Sequence, residues 1–313
     1  MWAVAVHGGA GNWEEAQHDA ARAGVRAAAE QAGLLLAQGA AALDAVTAAV
    51  TALEDDPIFN AGTGSVLNRG GEAEMDAAVM TGHDLAFGAV AAIRRVRNPV
   101  LVARQVMQRS GHALLAGEGA IQFARACGFG DYDPVTAEAR SAWERARAEA
   151  RLGTVGAVAL DRDGKLAAAA STGGTSLKLP GRVGDTPLPG AGTYATRDAA
   201  ASATGRGELV MRVLGTKRIC DLAAAGLRVE DAVKCVLDEM RETVGAEAAF
   251  IAVGRDGSIG VGYGTRYMAA AWWSSERSDI VATMTPSLPP GGGGLGWGRP
   301  TPPRQTNRAR PTA

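Results

Sequence analysis

One junction near the middle of the chain constrains its fold more than any other feature. Residues 136–151 are charged, rich in alanine and poor in β-branched residues, which is typical of a solvated helix or linker. From Gly153 onward the sequence changes at once to Gly-Thr-Val-Gly-Ala-Val-Ala-Leu, a pattern that predicts a buried strand. A polar linker that runs directly into a core strand is unusual in an uninterrupted chain. The arrangement is explained if Thr154, at the start of that strand, becomes a new amino terminus.

Predicted strands and helices are gathered in blocks in each half of the chain. The spacing of apolar residues predicts, in the first half, a strand over 2–7, helices over 14–38 and 41–55, strands over 74–81 and 86–94, and helices near 99 and over 117–127. In the second half it predicts strands from 153 to 171, helices over 208–225 and 229–243, and strands near 248–253, 258–263 and 267–273. This order favours an α+β fold in which helix layers lie outside two packed sheets. The Pro- and Gly-rich residues 285–313 predict a disordered tail.

The charge balance and the cysteines exclude several classes of protein. The chain has 32 Lys and Arg against 33 Asp and Glu, so no broad positive field attracts nucleic acid or an anionic membrane. The odd number and wide spacing of Cys127, Cys220 and Cys235 fit neither a disulfide framework nor a zinc site, but fit free thiols in a reducing compartment. Because we also find no signal peptide and no apolar span, we expect a cytoplasmic protein without nucleic-acid or membrane partners.

Thr154 has a chemical use at this junction that an internal threonine lacks. A threonine hydroxyl is a poor nucleophile, because the residue carries no base to take its proton. If the bond between Gly153 and Thr154 breaks, the new α-amine lies on the same residue, and such amines titrate near neutrality. The plain alternative is a β-branched residue at the start of a strand, where threonine is common.

Nine short motifs carry a resemblance to a known family. They lie, in order along the chain, at residues 4–11, 53–64, 74–80, 97–101, 117–119, 153–161, 171–174, 178–185 and 204–208. Together they resemble the plant-type asparaginase and isoaspartyl-peptidase family, and several are too long for chance agreement. The resemblance covers about residues 2–273, and the sequence after Trp273 is expected to depart from the family.

The resemblance implies a fold, a maturation step and an activity. The fold would be a four-layer αββα sandwich of the N-terminal-nucleophile (Ntn) hydrolase type, in a single domain over residues 1–284. Self-cleavage would divide the chain into residues 1–153, ending in a linker at about 131–153, and residues 154–313. Thr154 would then hydrolyse L-asparagine to aspartate and ammonia, and β-aspartyl dipeptides to aspartate and an amino acid. The cleaved protomers would form a homodimer.

The resemblance also assigns roles to individual residues. Thr172 would lie beside Thr154 and orient its hydroxyl. Asparagine is a zwitterion, so Arg182 would grip its α-carboxylate with two parallel hydrogen bonds and Asp185 would receive its α-ammonium. By base rate alone, Arg182 and Asp185 would instead form a surface salt bridge with each other.

Further positions near the nucleophile take roles from the same resemblance. Thr204 and Gly205 would form an oxyanion hole through a hydroxyl and a backbone N–H, which stabilise the developing negative oxygen. Gly207 would contact the substrate through its backbone, and Asn60 would be the loop residue nearest the nucleophile. His7 is expected to be a packed structural imidazole rather than a catalytic base.

The loop at 53–64 resembles one that wraps a sodium ion with backbone carbonyls. Carbonyl oxygens suit a hard cation. The predicted ligands are the carbonyls of Leu53, Glu54, Asp56, Phe59, Ala61 and Thr63. The plain alternative for the acidic run at 54–56 is a solvated helix end. Apart from this structural Na⁺, no organic cofactor is expected.

Two alternative functions stay open at this stage. A relative with the same fold could act on another amide, such as glycosylated asparagine. An uncleaved, inactive chain could survive as a binding protein. The presence of every proposed catalytic residue argues against the second alternative, and a failure to cleave would argue for it.

Overall fold

The computed structural model describes residues 1–11, 13–145, 153–245 and 247–284. The predicted tail at 285–313 and the last part of the predicted linker, residues 146–152, lie outside the described residues.

Twelve strands are described. In chain order they are β1 (Ala3–Gly11), β2 (Met75–Thr81), β3 (Phe87–Ile93), β4 (Leu114–Ala116), β5 (Val155–Leu160), β6 (Leu166–Thr172), β7 (Thr193–Ala195), β8 (Ala199–Gly205), β9 (Ala248–Gly254), β10 (Ile259–Tyr263), β11 (Tyr267–Ser274) and β12 (Val281–Thr283). Eight of them form one sheet in the order β12-β11-β1-β5-β6-β2-β3-β4, and the other four form a second sheet in the order β10-β9-β8-β7. Neighbouring strands are antiparallel, except that β3 and β4 are parallel.

Eight α-helices accompany the strands in the described part of the chain. They are α1 (His18–Ala37), α2 (Ala42–Asp55), α3 (Pro99–Gln105), α4 (Gly117–Ala126), α5 (Ala137–Arg145), α6 (Gly207–Val213), α7 (Gly215–Ala224) and α8 (Val229–Val244). A short 3₁₀ turn at Glu15–Gln17 precedes α1, and a π turn at Val106–Ser110 follows α3. None of the helices in the described residues is long and apolar enough to cross a membrane.

Three apolar cores separate four layers. The first lies between α1–α4 and the eight-stranded sheet, the second between the two sheets, and the third between the four-stranded sheet and α6–α8. The predicted four-layer αββα, α+β fold is therefore confirmed. Alanine is frequent on the facing strands, and small side chains let the sheets approach closely.

Side-chain alternation along each strand decides what faces the gap between the sheets. Val4 and Val6 of β1 pack toward the helices, whereas Ala3 and Ala5 pack toward the second sheet. The same period of two places residue 172, at the end of β6, on the inter-sheet side. The ends of β5, β6 and β8 thus meet at one edge of the sandwich.

The structure divides a segment that the sequence predicts as one helix. The single helix predicted over 208–225 is wrong, because Leu214 adopts a left-handed conformation (φ +53°) and separates α6 from α7. The next residue, Gly215, lies so close to Phe250 that an added Cβ would come within 2.6 Å of its ring. The break between α6 and α7 thus coincides with close packing of Gly215 on β9. The spacing of apolar residues along the chain cannot predict such a contact.

The predicted linker begins with a helix that is anchored to the body. In α5, the indole of Trp143 donates to the carbonyl of Asn68 at 2.8 Å. Arg140 donates to the carbonyl of Gly71 at 3.2 Å. Helix α5, which forms the described part of the charged segment, is therefore attached to the loop at residues 68–71.

A buried carboxyl lies at the end of α2. The side chain of Glu54 is fully buried, and its Oε1 accepts a hydrogen bond from the Val100 N–H at 2.9 Å. Burial raises the pKa of Glu54 to about 8, although hydrogen bonds from Ser171 and Val100 act in the opposite direction. This acid is therefore protonated at neutral pH.

Candidate active site

The junction at Gly153 and Thr154 lies inside the sandwich. Thr154 immediately precedes β5 and is only 6% exposed. In the sheet, β5 lies between β1 and β6. The peptide bond that self-cleavage would break is therefore held by core strands and not by a surface loop.

The carbonyl of Gly153 receives two side-chain hydrogen bonds. The Thr172 hydroxyl donates to it at 2.8 Å and the Asn60 amide at 2.9 Å. The remaining capacity of Asn60 is also used, since its Nδ2 donates to Gly174 O at 2.8 Å and its Oδ1 accepts from Val66 N at 2.9 Å. Two fixed donors on one carbonyl polarise it and stabilise negative charge on its oxygen.

A small pocket opens beside this carbonyl. Its lining consists of Gly153, Thr154, Thr172, Gly174, Thr175, Arg182, Asp185, Gly205 and Gly207. The structure therefore brings seven of the nine predicted catalytic, binding and cleavage-site residues to one pocket, while Asn60 and Thr204 stand directly behind it. The cavity has a volume of about 10 Å³, which is room for one water molecule.

Asp185 presents an unused acceptor to this pocket. The side chain is 4% exposed, and within the described residues its Oδ2 has no hydrogen-bond partner. Burial raises the pKa of Asp185 to about 7. The charge of Arg182 lowers this pKa, whereas Asp76 and Glu208 raise it. A ligand cation would complete the site by pairing with this carboxylate.

Arg182 pairs with Glu208, and not with Asp185 as the salt-bridge alternative supposed. Its Nε and Nη2 both lie 2.9 Å from Oε1 of Glu208. Gly207 closes the space between the two predicted binding residues. A Cβ at Gly207 would come within 2.7 Å of Asp185 Oδ1 and 3.0 Å of Arg182 Nη2. Only glycine leaves the two charged groups in place.

Thr204 and Gly205 reach the site from the second sheet, at the end of β8. The Thr204 hydroxyl accepts a hydrogen bond from the Ala10 N–H at 3.1 Å, which ties the end of β8 to the end of β1. Gly205 lines the pocket and has φ +143°, a conformation that favours glycine. The hydroxyl keeps its own proton for donation, because the bond to Ala10 uses a lone pair.

His7 lies behind the junction on the inter-sheet face of β1. Its Nε2 is 3.0 Å from the Ser202 hydroxyl. Burial lowers the pKa of His7 to about 3, although a hydrogen bond with the Thr154 backbone acts to raise it. The ring is therefore neutral at physiological pH and joins the two sheets through its hydrogen bond with Ser202.

The carbonyls of the loop at 53–64 fit a hard cation. Leu53 lies four residues before Pro57, which has no N–H to donate, so the helix leaves that carbonyl without its usual bond. Among the described residues, no N–H donates to the carbonyls of Phe59, Ala61 or Thr63. The other predicted ligands each accept one hydrogen bond: Glu54 O from Thr63 N at 2.8 Å, and Asp56 O from Phe59 N at 3.2 Å. Since a carbonyl oxygen has two lone pairs, these bonds leave room for an ion.

Side-chain metal sites are a separate question. Over the described ranges, no group of three or more His, Cys, Asp or Glu side chains could hold a metal ion. A cation in this region would therefore depend on backbone oxygens.

Comparison with known proteins decides the family. The sequence profile of a family described as asparaginase matches residues 1–283. The chain belongs to the asparaginase family. It is 42% identical over 305 residues to a plant-type L-asparaginase of Pyrococcus abyssi, and the match covers 90% of this chain and 99% of that protein.

Relatives that are named for isoaspartyl peptidase activity are similar to the same degree. An isoaspartyl peptidase of Escherichia coli is 40% identical over 316 residues, covering 90% of this chain and 98% of its own. An isoaspartyl peptidase/L-asparaginase of Bos taurus is 43% identical over 272 residues, covering 82% and 88%. The expected departure from the family after Trp273 is wrong, because the asparaginase match continues to residue 283 and β12 pairs with β11 in that stretch.

Four site features were not predicted from the sequence of this asparaginase-family chain. Gly174 and Thr175 line the pocket, and Glu208 binds Arg182. Gly174 and Glu208 lie inside the motifs at 171–174 and 204–208, but neither motif shows by itself which group the residue contacts. Gly9 packs against the junction itself: its φ is +103°, and an added Cβ would lie 3.1 Å from Gly153 Cα and 3.2 Å from Thr154 N.

Replacing Gly9 by alanine should disturb the junction beyond the cost of its backbone conformation. A left-handed conformation costs an alanine roughly 1–2 kcal/mol, and the tight contacts should add roughly another 1 kcal/mol. Gly39→Ala is the matched control, since Gly39 has φ +89° and no other group within 4 Å of an added Cβ. Thermal unfolding compares the two variants. An equal fall in Tm for both would show that the contact of Gly9 with the junction is unimportant.

Proposed function

We propose that this chain cuts itself between Gly153 and Thr154, and that the freed Thr154 hydrolyses L-asparagine and β-aspartyl dipeptides. The names of the similar proteins, plant-type L-asparaginase and isoaspartyl peptidase, support this choice of substrates. The observation that carries the proposal is the Gly153 carbonyl, which lies next to Thr154 and is held by the side chains of Thr172 and Asn60.

The first stage breaks the chain's own peptide bond. Thr154 Oγ1 attacks the carbonyl carbon of Gly153, and Thr172 and Asn60 stabilise the negative oxygen that forms. The C–N bond then breaks, its nitrogen takes the hydroxyl proton and becomes the α-amine, and an ester joins Gly153 to Thr154 Oγ1. Water hydrolyses the ester, which gives a Gly153 carboxylate and restores the hydroxyl.

Departure of Gly153 is what opens the site to substrate. In the uncut chain Gly153 itself lines the pocket, and a cavity of about 10 Å³ cannot hold an amino acid. When the residues before Thr154 move away, Thr172 and Asn60 lose their acceptor and face the vacated space. The new α-amine then serves as the base for the Thr154 hydroxyl.

The second stage uses the same oxygen on the substrate. Asp185 receives the α-ammonium and the guanidinium of Arg182 binds the α-carboxylate, which places the side-chain amide beside Thr154. Attack by Oγ1 releases ammonia, or an amino acid from a dipeptide, and leaves a β-aspartyl ester. Gly205 N–H and the Thr204 hydroxyl donate to the oxyanion in this step. Water then releases aspartate.

The assembly and location of the mature protein extend this proposal. We infer a cytoplasmic homodimer of cleaved protomers. Cys127, Cys220 and Cys235 are free, which agrees with a reducing compartment. The homodimer rests on the family resemblance, and light scattering would test it against the 31.9 kDa mass of one chain.

Self-cleavage should depend on the Thr154 hydroxyl. Wild-type protein should separate into two pieces, the second beginning Thr154-Val155-Gly156, as read by intact mass and N-terminal sequencing. Thr154→Val keeps the shape but removes the hydroxyl, so this variant should stay whole and have no asparaginase activity. Thr154→Ser should still cut. A wild-type chain that stays whole on prolonged incubation would refute the proposed maturation and point to an uncleaved binding protein.

The KM for asparagine should rise as the pH falls. Asp185 is charged only above its pKa of about 7, and the protonated acid cannot pair with the α-ammonium. KM should therefore increase toward tenfold per pH unit below about pH 7, while titration of the Thr154 amine affects kcat. Steady-state kinetics between pH 5.5 and 8.5 separates the two constants. A KM that stays constant over this range would exclude Asp185 as the ammonium partner.

The loop at 53–64 would hold its Na⁺ through the backbone carbonyls named above. The ion would stiffen the loop that carries Asn60 and would take no part in bond breaking. Replacing NaCl by tetramethylammonium chloride at equal ionic strength should lower the Tm of the cleaved protein by a few degrees, because bound ligand stabilises the folded state. An unchanged Tm would remove the ion from the proposal.

A further inference from the structure

Asp76 is a buried acid that the proposed mechanism does not use. It belongs to the motif at 74–80, to which the sequence assigned no role. The residue is fully buried in β2, where it pairs with Thr172 of β6. Its neighbours Met75 and Ala77 face the helices, so Asp76 faces the gap between the sheets, on the same side as Thr172.

The two carboxylate oxygens of Asp76 bind two separate segments. Oδ1 accepts the Ala92 N–H at 2.8 Å, and Oδ2 accepts the Gly184 N–H at 3.0 Å. Ala92 has φ +48° and lies where the register between β2 and β3 shifts, so its N–H turns out of the ladder toward the acid. One side chain thus fixes a bulge in the sheet and the loop that approaches Asp185.

Glu74, the residue before β2, holds the loop between β6 and β7 (residues 173–192), which carries Arg182 and Asp185, at two further points. Glu74 accepts the Gly181 N–H at 2.9 Å through Oε2, and its carbonyl accepts from Lys178 Nζ at 2.6 Å. Burial raises the pKa of Asp76, whereas the charges of Lys178 and Arg182 and the two N–H groups lower it. Two positive side chains of this loop thus lie near the buried carboxyl of Asp76, and a buried charge needs such partners.

The position of Gly184 determines where both charged binding groups point. Gly184 directly precedes Asp185, and an added Cβ on it would lie 2.9 Å from Nη1 of Arg182. A shift of the Gly184 backbone would therefore displace the carboxylate and the guanidinium together.

We propose that Asp76 is a positioning residue for recognition of the α-amino-acid end of the substrate, because it fixes Gly184 so that Arg182 and Asp185 face the pocket on the same side as Thr172. This inference rests on the proposed function and extends it to a residue that touches no substrate atom. It assigns to Asp76 an effect on binding that is separate from cleavage and from bond breaking.

The test is Asp76→Asn, compared with Asp161→Asn. Asparagine keeps the shape, loses the charge and can accept only one of the two N–H groups. Asp161 is a matched control: it is 3% exposed, its carboxylate accepts from Ala42 N at 3.0 Å and Lys165 N at 2.9 Å, and it lies at the far end of β5 from Thr154.

The Asp76→Asn variant should still cleave itself and keep kcat within about threefold. Its KM should rise at least tenfold, which corresponds to about 1.4 kcal/mol of binding free energy. Asp161→Asn should lower Tm and leave KM unchanged.

Two results would overturn the inference. One is a KM for Asp76→Asn within twofold of wild type, whatever happens to Tm, since that describes a purely structural acid. The other concerns the wild-type protein and decides the matter even if the variant fails to fold. The Gly184 amide should exchange slowly with solvent, and more slowly when aspartate is bound. Exchange at the rate of a free peptide, unaffected by aspartate, would exclude the bond and the coupling.

Failure of the proposed function would look different. A wild-type chain that neither cuts itself nor hydrolyses asparagine refutes the enzyme assignment directly. If such a chain also binds no aspartate by calorimetry, the positioning role falls with it. If the wild type is active and only the variant's KM is normal, the function stands and Asp76 alone is excluded.

Discussion

The carbonyl of Gly153 is the atom group around which the site is organised. A half-buried carbonyl next to a core strand needs hydrogen-bond partners, and here both donors are side chains. One comes from the end of β6 and the other from the loop after α2. Asn60 bonds the backbone of Gly174 and Val66 as well, so the junction, the loop at 53–64 and the loop at 173–192 share one fixed point.

Local charge, and not net charge, sets the electrostatic character of this pocket. The formal net charge is −1, yet Asp76, Asp185, Lys178 and Arg182 are gathered on one side of the pocket. Burying several ionisable groups costs free energy unless each finds a counter-charge or hydrogen bonds. Asp76 finds both, Arg182 has Glu208, and Asp185 keeps one oxygen without a described partner. That imbalance is what a cationic ligand group would remove.

Much of the fold could be predicted because it follows from local patterns. Apolar alternation located β1 and β5, and helical spacing located α1, α2 and α8 to within a few residues. The residues around the pocket came from motif resemblance, since a lone Gly-Thr pair or an Arg and an Asp three residues apart has no meaning by itself. The domain limits, the site roles and the sodium ion stay predictions.

The helix break and the site residues that the sequence did not predict depend on contacts between distant segments. The break at Leu214 coincides with Gly215 packing on Phe250, which is far away in the sequence. The role of Glu208 was not predicted because it lies in α6 whereas its partner Arg182 lies in a distant loop, and that of Asp76 because its bonds lead to β3 and to Gly184. Spacing within one element carries no record of such pairs.

The buried carboxyl of Glu54 sets an upper pH limit on the fold. Since folding raises its pKa to about 8, the folded chain retains a proton that the unfolded chain releases at a lower pH. Stability therefore declines as the pH rises from the ordinary range of a glutamic acid toward 8, and above that a bare charge would lie between helix layer and sheet. The next residue after its neighbour Ser171 is Thr172, so alkaline loosening would begin beside the threonine that holds the Gly153 carbonyl.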